Sequence, residues 1–195
     1  MTEVRTIAVI GAGIMGRGIA HAAALGGYRT ILEDLFPNAL RKAGTEIRVC
    51  LDRAVERGQV SAAEADAAFS RIEYAGSVDE AARQADLVIE AVPDEMESKL
   101  EIFIMLDKFC RPATILAANT SWLSVAAIAS ATYRAKQCAG VRFSNPVEEM
   151  KVLEIVCSSE TDDETLAALV EVGKRMGKDI KVLHEVPGVI SSRVP

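Results

Sequence analysis

TIAVIGAGIMGRGIA, residues 6–20, is the stretch on which the fold turns. A short apolar, β-branched run passes directly into Gly11-Ala12-Gly13-Ile14-Met15-Gly16, and a helix-forming pattern follows to about residue 26. This strand–turn–helix context gives the glycine spacing its meaning. Gly11 permits the tight turn, Gly13 lets the backbone approach a pyrophosphate, and Gly16 allows close packing of helix on strand. The helix N-terminus, with Ile14 and Met15 in its first turn, attracts the anion. A second strand ends in Glu33-Asp34, about where a carboxylate accepts hydrogen bonds from an adenosine ribose. Asp34 repels a 2′-phosphate, and no basic residue follows before Arg41, so the pattern predicts NAD rather than NADP. FAD uses the same fingerprint but fits a chain this short less well.

The same alternation continues outward. Strand-like runs fall at 5–10, 29–34, 85–92, 113–120, 138–143, 151–157 and 179–185, and helix patterns at about 14–26, 37–57, 61–70, 78–84, 95–110 and 162–176. Ser61 and Glu64 form a capping-box signature. The expected class is α/β: a doubly wound, mostly parallel sheet with additional C-terminal strands. The long charged helix and the return through RIEYAG (71–76) read as an insertion beyond the minimal βαβ unit. The 195 residues, half of them apolar and 26% charged, suffice for one well-buried domain, expected over 1–187, with 188–195 opening a further element.

A net charge of −6 argues against nucleic acid or an anionic membrane as partner, while leaving room for a local basic pocket that takes a phosphate. Cys50, Cys110, Cys138 and Cys157 are widely spaced, which fits reduced thiols better than disulfides or a metal site. The N-terminal apolar run is too short to span a membrane and enters the glycine turn directly, so a cytoplasmic location is expected.

Ligands of open parallel sheets bind beyond the carboxyl ends of the strands. Two segments there are polar. EAVPDEMESK (90–99) places Asp94 and Lys99 at the mouth of a helix, and ANTSWLS (118–124) places Asn119 and Ser121 after an apolar run. Asn119 and Ser121 suit a nicotinamide ribose or a substrate oxygen, and turn and cap chemistry accounts for them equally well.

Taken together, VIGAGIMGRGIA, ILED, CLDRAVERGQVSAAEADAAFSRI, DLVIEAVPDEMESK, AANTSWLS, RFSNPVEEMKVLEIV and PGVISSR carry a likeness that reaches from Ile7 to Arg193. The chain resembles the NAD-binding domain of the 3-hydroxyacyl-CoA dehydrogenase family. Dehydrogenases acting on 6-phosphogluconate or UDP-glucose share the fingerprint, but the NTS and SNPVEEMKVLE segments favour the acyl-CoA family. The resemblance implies a Rossmann-type sheet with added strands. It also implies an activity in fatty acid or related acyl-CoA metabolism, interconverting 3-hydroxyacyl-CoA and 3-oxoacyl-CoA with NAD. The family's helical second domain, which mediates dimerisation and walls the acyl-CoA cleft, is absent from this sequence, so a homodimer or a partner chain supplying it is expected.

By matched position, the resemblance gives Gly11, Gly13 and Gly16 to the pyrophosphate and Asp34 to the adenosine ribose. Asp94, Lys99 and Asn145 fall along the dinucleotide. Ser121 touches both cofactor and substrate oxygen, and Arg57 lies near the CoA phosphates. Glu154 matches the glutamate that holds the family's base, a histidine twelve residues earlier, and here that position is Arg142. Arginine stays protonated and offers only donors, so it can polarise a carbonyl but cannot take the alcohol proton. Ser192 likewise replaces an asparagine. His21 and His184 do not match the base by position.

Three readings follow: a domain with an NAD site and impaired turnover, a dehydrogenase for a carboxylated hydroxyacid anchored by Arg142, or a non-catalytic NAD-binding sensor or scaffold subunit. A structural ion pair of Arg142 with Glu154 is an equal alternative.

Overall fold

The computed structural model describes residues 3–185. The expected boundary at 187/188 and Ser192 lie outside the described residues. Eight strands form one sheet: β1 (Thr6–Ile10), β2 (Arg29–Glu33), β3 (Ile72–Ala75), β4 (Leu87–Glu90), β5 (Ile115–Asn119), β6 (Cys138–Phe143), β7 (Val152–Cys157) and β8 (Asp179–His184). Their order is β3-β2-β1-β4-β5-β6-β7-β8. Pairing is parallel except between β6 and β7, where Arg142 faces Glu154 in register. The parallel β7–β8 pair completes the expected C-terminal addition.

Every residue of β1 and β4 is buried, as expected for central strands covered on both faces. One core layer packs α1 (Ile14–Leu25), α2 (Pro37–Glu56), α3 (Ala62–Ser70) and α7 (Asp163–Arg175) against one face, through Ile19, Ile47, Leu51, Ala68 and Leu169. The other holds α4 (Val78–Ala82), α5 (Met96–Phe109) and α6 (Val125–Ala129), through Val78, Phe103, Leu106 and Ile128. Pro37 opens α2, where its missing N–H costs nothing. The capping box forms at α3: the Ser61 side chain accepts from the Glu64 N–H, and Glu64 accepts from the Ser61 N–H.

One sequence expectation is corrected. RIEYAG is itself part of the sheet, because Ile72–Ala75 pairs with β2 as its edge strand. A short edge strand with its two central residues exposed carries little apolar signal, and a cross-strand ion pair of Arg29 with Glu73 supports it. The segment after ANTSWLS carries two further short elements. Ser124 caps α6 by accepting from the Ala127 N–H, and a 3₁₀ turn, Ala135–Gln137, precedes β6. Among the described residues, no helix is long and apolar enough to cross a membrane.

Candidate functional site

A cleft of about 980 Å³ opens at the carboxyl ends of β1, β2, β4, β5 and β6. Gly11, Gly13, Ile14, Met15, Asp34, Asp94, Asn119, Ser121 and Asn145 all line it. The glycine loop explains its own composition. Gly11 has φ +98°, and a Cβ there would sit 3.0 Å from the Ala91 carbonyl oxygen. A Cβ on Gly16 would lie 1.7 Å from the Gly11 carbonyl oxygen, so only glycine lets α1 pack on the loop. A Cβ on Gly13 would meet nothing within 4 Å, which leaves space for a ligand's backbone-bound phosphate at the N-terminus of α1.

Asp34 bridges the loop to the chain after β2. Its Oδ2 accepts from the Ala12 N–H at 2.9 Å and its Oδ1 from the Phe36 N–H at 2.9 Å. Each oxygen retains a lone pair for a ribose hydroxyl. Exposed Leu35 and Phe36, with Val78, give this end an apolar lip.

The opposite end is tied together across strands. Asp94 Oδ2 accepts from the Ser121 N–H at 3.0 Å, joining the loops after β4 and β5. Thr120 Oγ1 accepts from the N–H groups of Trp122 and Leu123, so turn chemistry falls to Thr120 and leaves the Ser121 hydroxyl outside it. Asn119 Oδ1 meets the Phe143 N–H at 3.5 Å.

Lys99 lies beneath this cleft and does not line it. At 0% exposure its ammonium donates to both Glu90 carboxylate oxygens and to the Asn119 carbonyl, each at 2.9 Å, and approaches Asp94 Oδ1 at 3.8 Å. It thereby ties α5, β4 and β5 into one floor. Glu90 also accepts from the Val92 N–H at 2.7 Å. Burial pushes the Glu90 carboxyl up to about 7, against the pull of Lys99.

Glu33 is a second buried carboxyl that the sequence reading passed over. It lines the cleft, its Oε1 lacks a partner among the described residues, and burial together with Asp34 pushes it up to about 7. The available signal was its place at the end of the run RTILE, whose last four residues are all buried.

Arg142 and Glu154 face one another more loosely than a hydrogen-bonded pair, with Nη1 3.9 Å from Oε2. The Arg142 Nε is buried and unpartnered among the described residues. Neither residue lines the dinucleotide-sized cleft.

Beyond Ile14 and Asn145, which it shares with the cleft, a narrow cavity of about 50 Å³ runs past Gly18, His21, Cys50 and Glu148. His21, Cys50 and Glu148 also line a third cavity of about 910 Å³. This wider cavity carries Arg53, Arg57, Arg71, Lys151, Arg175 and Lys178 against three glutamates, a locally basic site on an acidic chain. Arg57, half exposed at its wall, pairs with Glu149 at 3.2 Å.

Comparison with known proteins fits this geometry. The chain is 37% identical over 192 residues to a probable 3-hydroxybutyryl-CoA dehydrogenase of Bacillus subtilis, covering 98% of this chain and 67% of that protein. It is 37% identical over 194 residues to the 3-hydroxyadipyl-CoA dehydrogenase of Escherichia coli, covering 100% and 41%. The crystal structure of (S)-3-hydroxybutyryl-CoA dehydrogenase from Ralstonia eutropha superposes with a TM-score of 0.92 at 32% identity, over 98% of this chain and 68% of that one. The chain thus spans about two thirds of some relatives and well under half of another. Residues 6–186 match the family model described as 3-hydroxyacyl-CoA dehydrogenase, NAD binding domain. With a glycine cradle at the strand ends and the Asp34 carboxylate bound to the Ala12 N–H beside it, the chain belongs to that family, and NAD is its cofactor.

Proposed function

We propose that this chain is the cofactor-binding half of an oxidoreductase interconverting 3-hydroxyacyl-CoA and 3-oxoacyl-CoA, with its turnover impaired. The observation that carries the substrate class is the run of adjoining cavities from the cofactor cleft, past His21, to the basic cavity. A substrate reacting at one end and carrying phosphates at the other needs that layout, and Arg57 with its neighbours supplies the positive charge.

NAD supplies hydride exchange with C3 of the substrate. The chain's own part is to hold the pyrophosphate on the loop Gly11–Gly16 and the adenosine ribose on Asp34. Asp94, Asn119 and Asn145 shape the nicotinamide end, while Ser121 positions the substrate oxygen. Lys99 serves this end from below, by fixing Glu90, Asp94 and the Asn119 backbone.

Glu154 orients the group at 142. Arg142 can stabilise a developing oxyanion but cannot accept a proton from the alcohol. A positioned general base contributes roughly 10²–10⁴ in rate. Its loss slows both directions, because the group that takes the alcohol proton in oxidation returns it in reduction. The open side of the cleft is completed by a helical half, in the same polypeptide or from a partner chain.

A second reading has its own observation: Arg142 is paired only loosely with Glu154, at 3.9 Å, which leaves its partly exposed guanidinium suited to a substrate carboxylate. One relative is named for 3-hydroxyadipyl-CoA, whose acyl group carries such a carboxylate.

The test is NADH oxidation with acetoacetyl-CoA by the wild type and by Arg142→His, with NADH binding followed by calorimetry. The wild type binds NADH and turns over slowly. The histidine variant is at least tenfold faster and gains a pH limb near the ordinary histidine range, about 6.5. Rapid wild-type turnover, unchanged in Arg142→His, refutes the impairment. Faster wild-type turnover of a dicarboxylic 3-oxoacyl-CoA, lost in that variant, selects the second reading.

A further inference from the structure

His21 is a histidine for which the proposed reaction has no use. It sits midway along α1 at 5% exposure, and both ring nitrogens lack a hydrogen-bond partner among the described residues. Its position is specific: it lines the narrow cavity and the basic cavity alike, at the waist between them, and is absent from the wall of the cofactor cleft.

The neighbours do not satisfy the ring. Glu148 lies 3.7 Å from the Cys50 thiol, and the Lys178 ammonium donates to the carbonyls of Val147 and Met150. Burial holds the imidazole below its ordinary range, Lys178 adding to the effect and Glu148 opposing it, so the ring is neutral near pH 7. A neutral imidazole presents one N–H donor and one bare nitrogen acceptor. Both are unpaired at a constriction, and a buried unpaired donor or acceptor is costly.

A secondary amide, with a carbonyl oxygen and an N–H on adjacent atoms, can satisfy both kinds of group. In an acyl-CoA, the segment joining the thioester to the phosphates is a slender chain built around two such amides. We propose that His21 is a binding residue for that amide linker, gripping it at the waist between the reaction end and the phosphate end. The inference rests on the acyl-CoA reading above. It adds a contact that recognises the linker itself, separate from the charge recognition of the phosphates.

The test measures dissociation constants of CoA, of 3′,5′-ADP as the linker-free phosphate end, and of NADH. It uses the full chain as wild type, His21→Leu and His21→Gln. His21→Leu is expected to weaken CoA about tenfold, leaving 3′,5′-ADP and NADH within twofold. His21→Gln, which keeps a donor and an acceptor, restores CoA to within threefold of wild type. Unchanged CoA affinity in His21→Leu overturns the inference while sparing the acyl-CoA reading. Equal losses for all three ligands also overturn it, by assigning His21 a purely structural role. A wild type that binds NADH but neither CoA nor 3′,5′-ADP defeats the acyl-CoA reading and this inference together.

Discussion

Glu33 ends β2 and Asp34 follows it, and the fold treats these adjacent carboxylates oppositely. Asp34 accepts two backbone N–H groups at the cleft, whereas Glu33 is buried with one oxygen unpaired. Its carboxyl rises from an ordinary 4.5 to about 7. The native state therefore holds a proton that the unfolded chain releases, and the associated stability is present in full below pH 4.5 and is lost as pH rises through about 7. Glu33→Gln removes this dependence and is expected to exceed wild type in unfolding free energy at pH 8 by roughly 2–3 kcal/mol, converging with it near pH 4.5. Urea denaturation across that range is the check. Glu90 is present in both proteins, so the comparison isolates Glu33. Lys99 makes a related point: by position it matched a residue along the dinucleotide, and only burial against Glu90 reveals it as a post under the floor.

Among the elements, the glycine loop and α1 were legible because Gly11 and Gly16 answer backbone needs that no other residue meets and Gly13 leaves its space open to a ligand. Two of those roles can be separated. Gly16→Ala forces its methyl onto the Gly11 carbonyl, so it is expected to cost about 1–3 kcal/mol in stability and to weaken NADH at least tenfold. Gly13→Ala meets no protein atom and is expected to cost under about 1 kcal/mol while weakening NADH comparably, because its methyl occupies cofactor space. Thermal unfolding and NADH titration of both variants decide the matter; equal destabilisation by the two refutes it. Elements with weaker patterns were read less well. β3 is four residues long with two of them exposed, and α6 is five residues whose start is marked only by Ser124. Neither is long enough for hydrophobic periodicity to register.

For the whole molecule, NADH at a hundred times its dissociation constant is expected to stabilise the fold by about 2.7 kcal/mol, since it binds only the native cleft. That corresponds to a rise in Tm of roughly 5–10 °C for a domain of this size. NADPH at equal concentration is expected to give a smaller rise, if Asp34 takes the adenosine ribose as proposed. A scan of melting temperature with each nucleotide checks both statements, and a larger shift with NADPH would refute the role of Asp34.

The sequence by itself determined the class of fold, the C-terminal strands, the cofactor and the residues of the glycine loop. Those follow from local backbone rules and from spacing along a single chain. The family resemblance also raised the expectation that Arg142 stands at the position of the family's base. Tertiary structure alone decided which carboxylates are buried, that Lys99 supports the cleft from beneath it, and that His21 stands at the waist between two cavities. These properties depend on the desolvation and pairing of groups far apart in sequence, which no local pattern encodes.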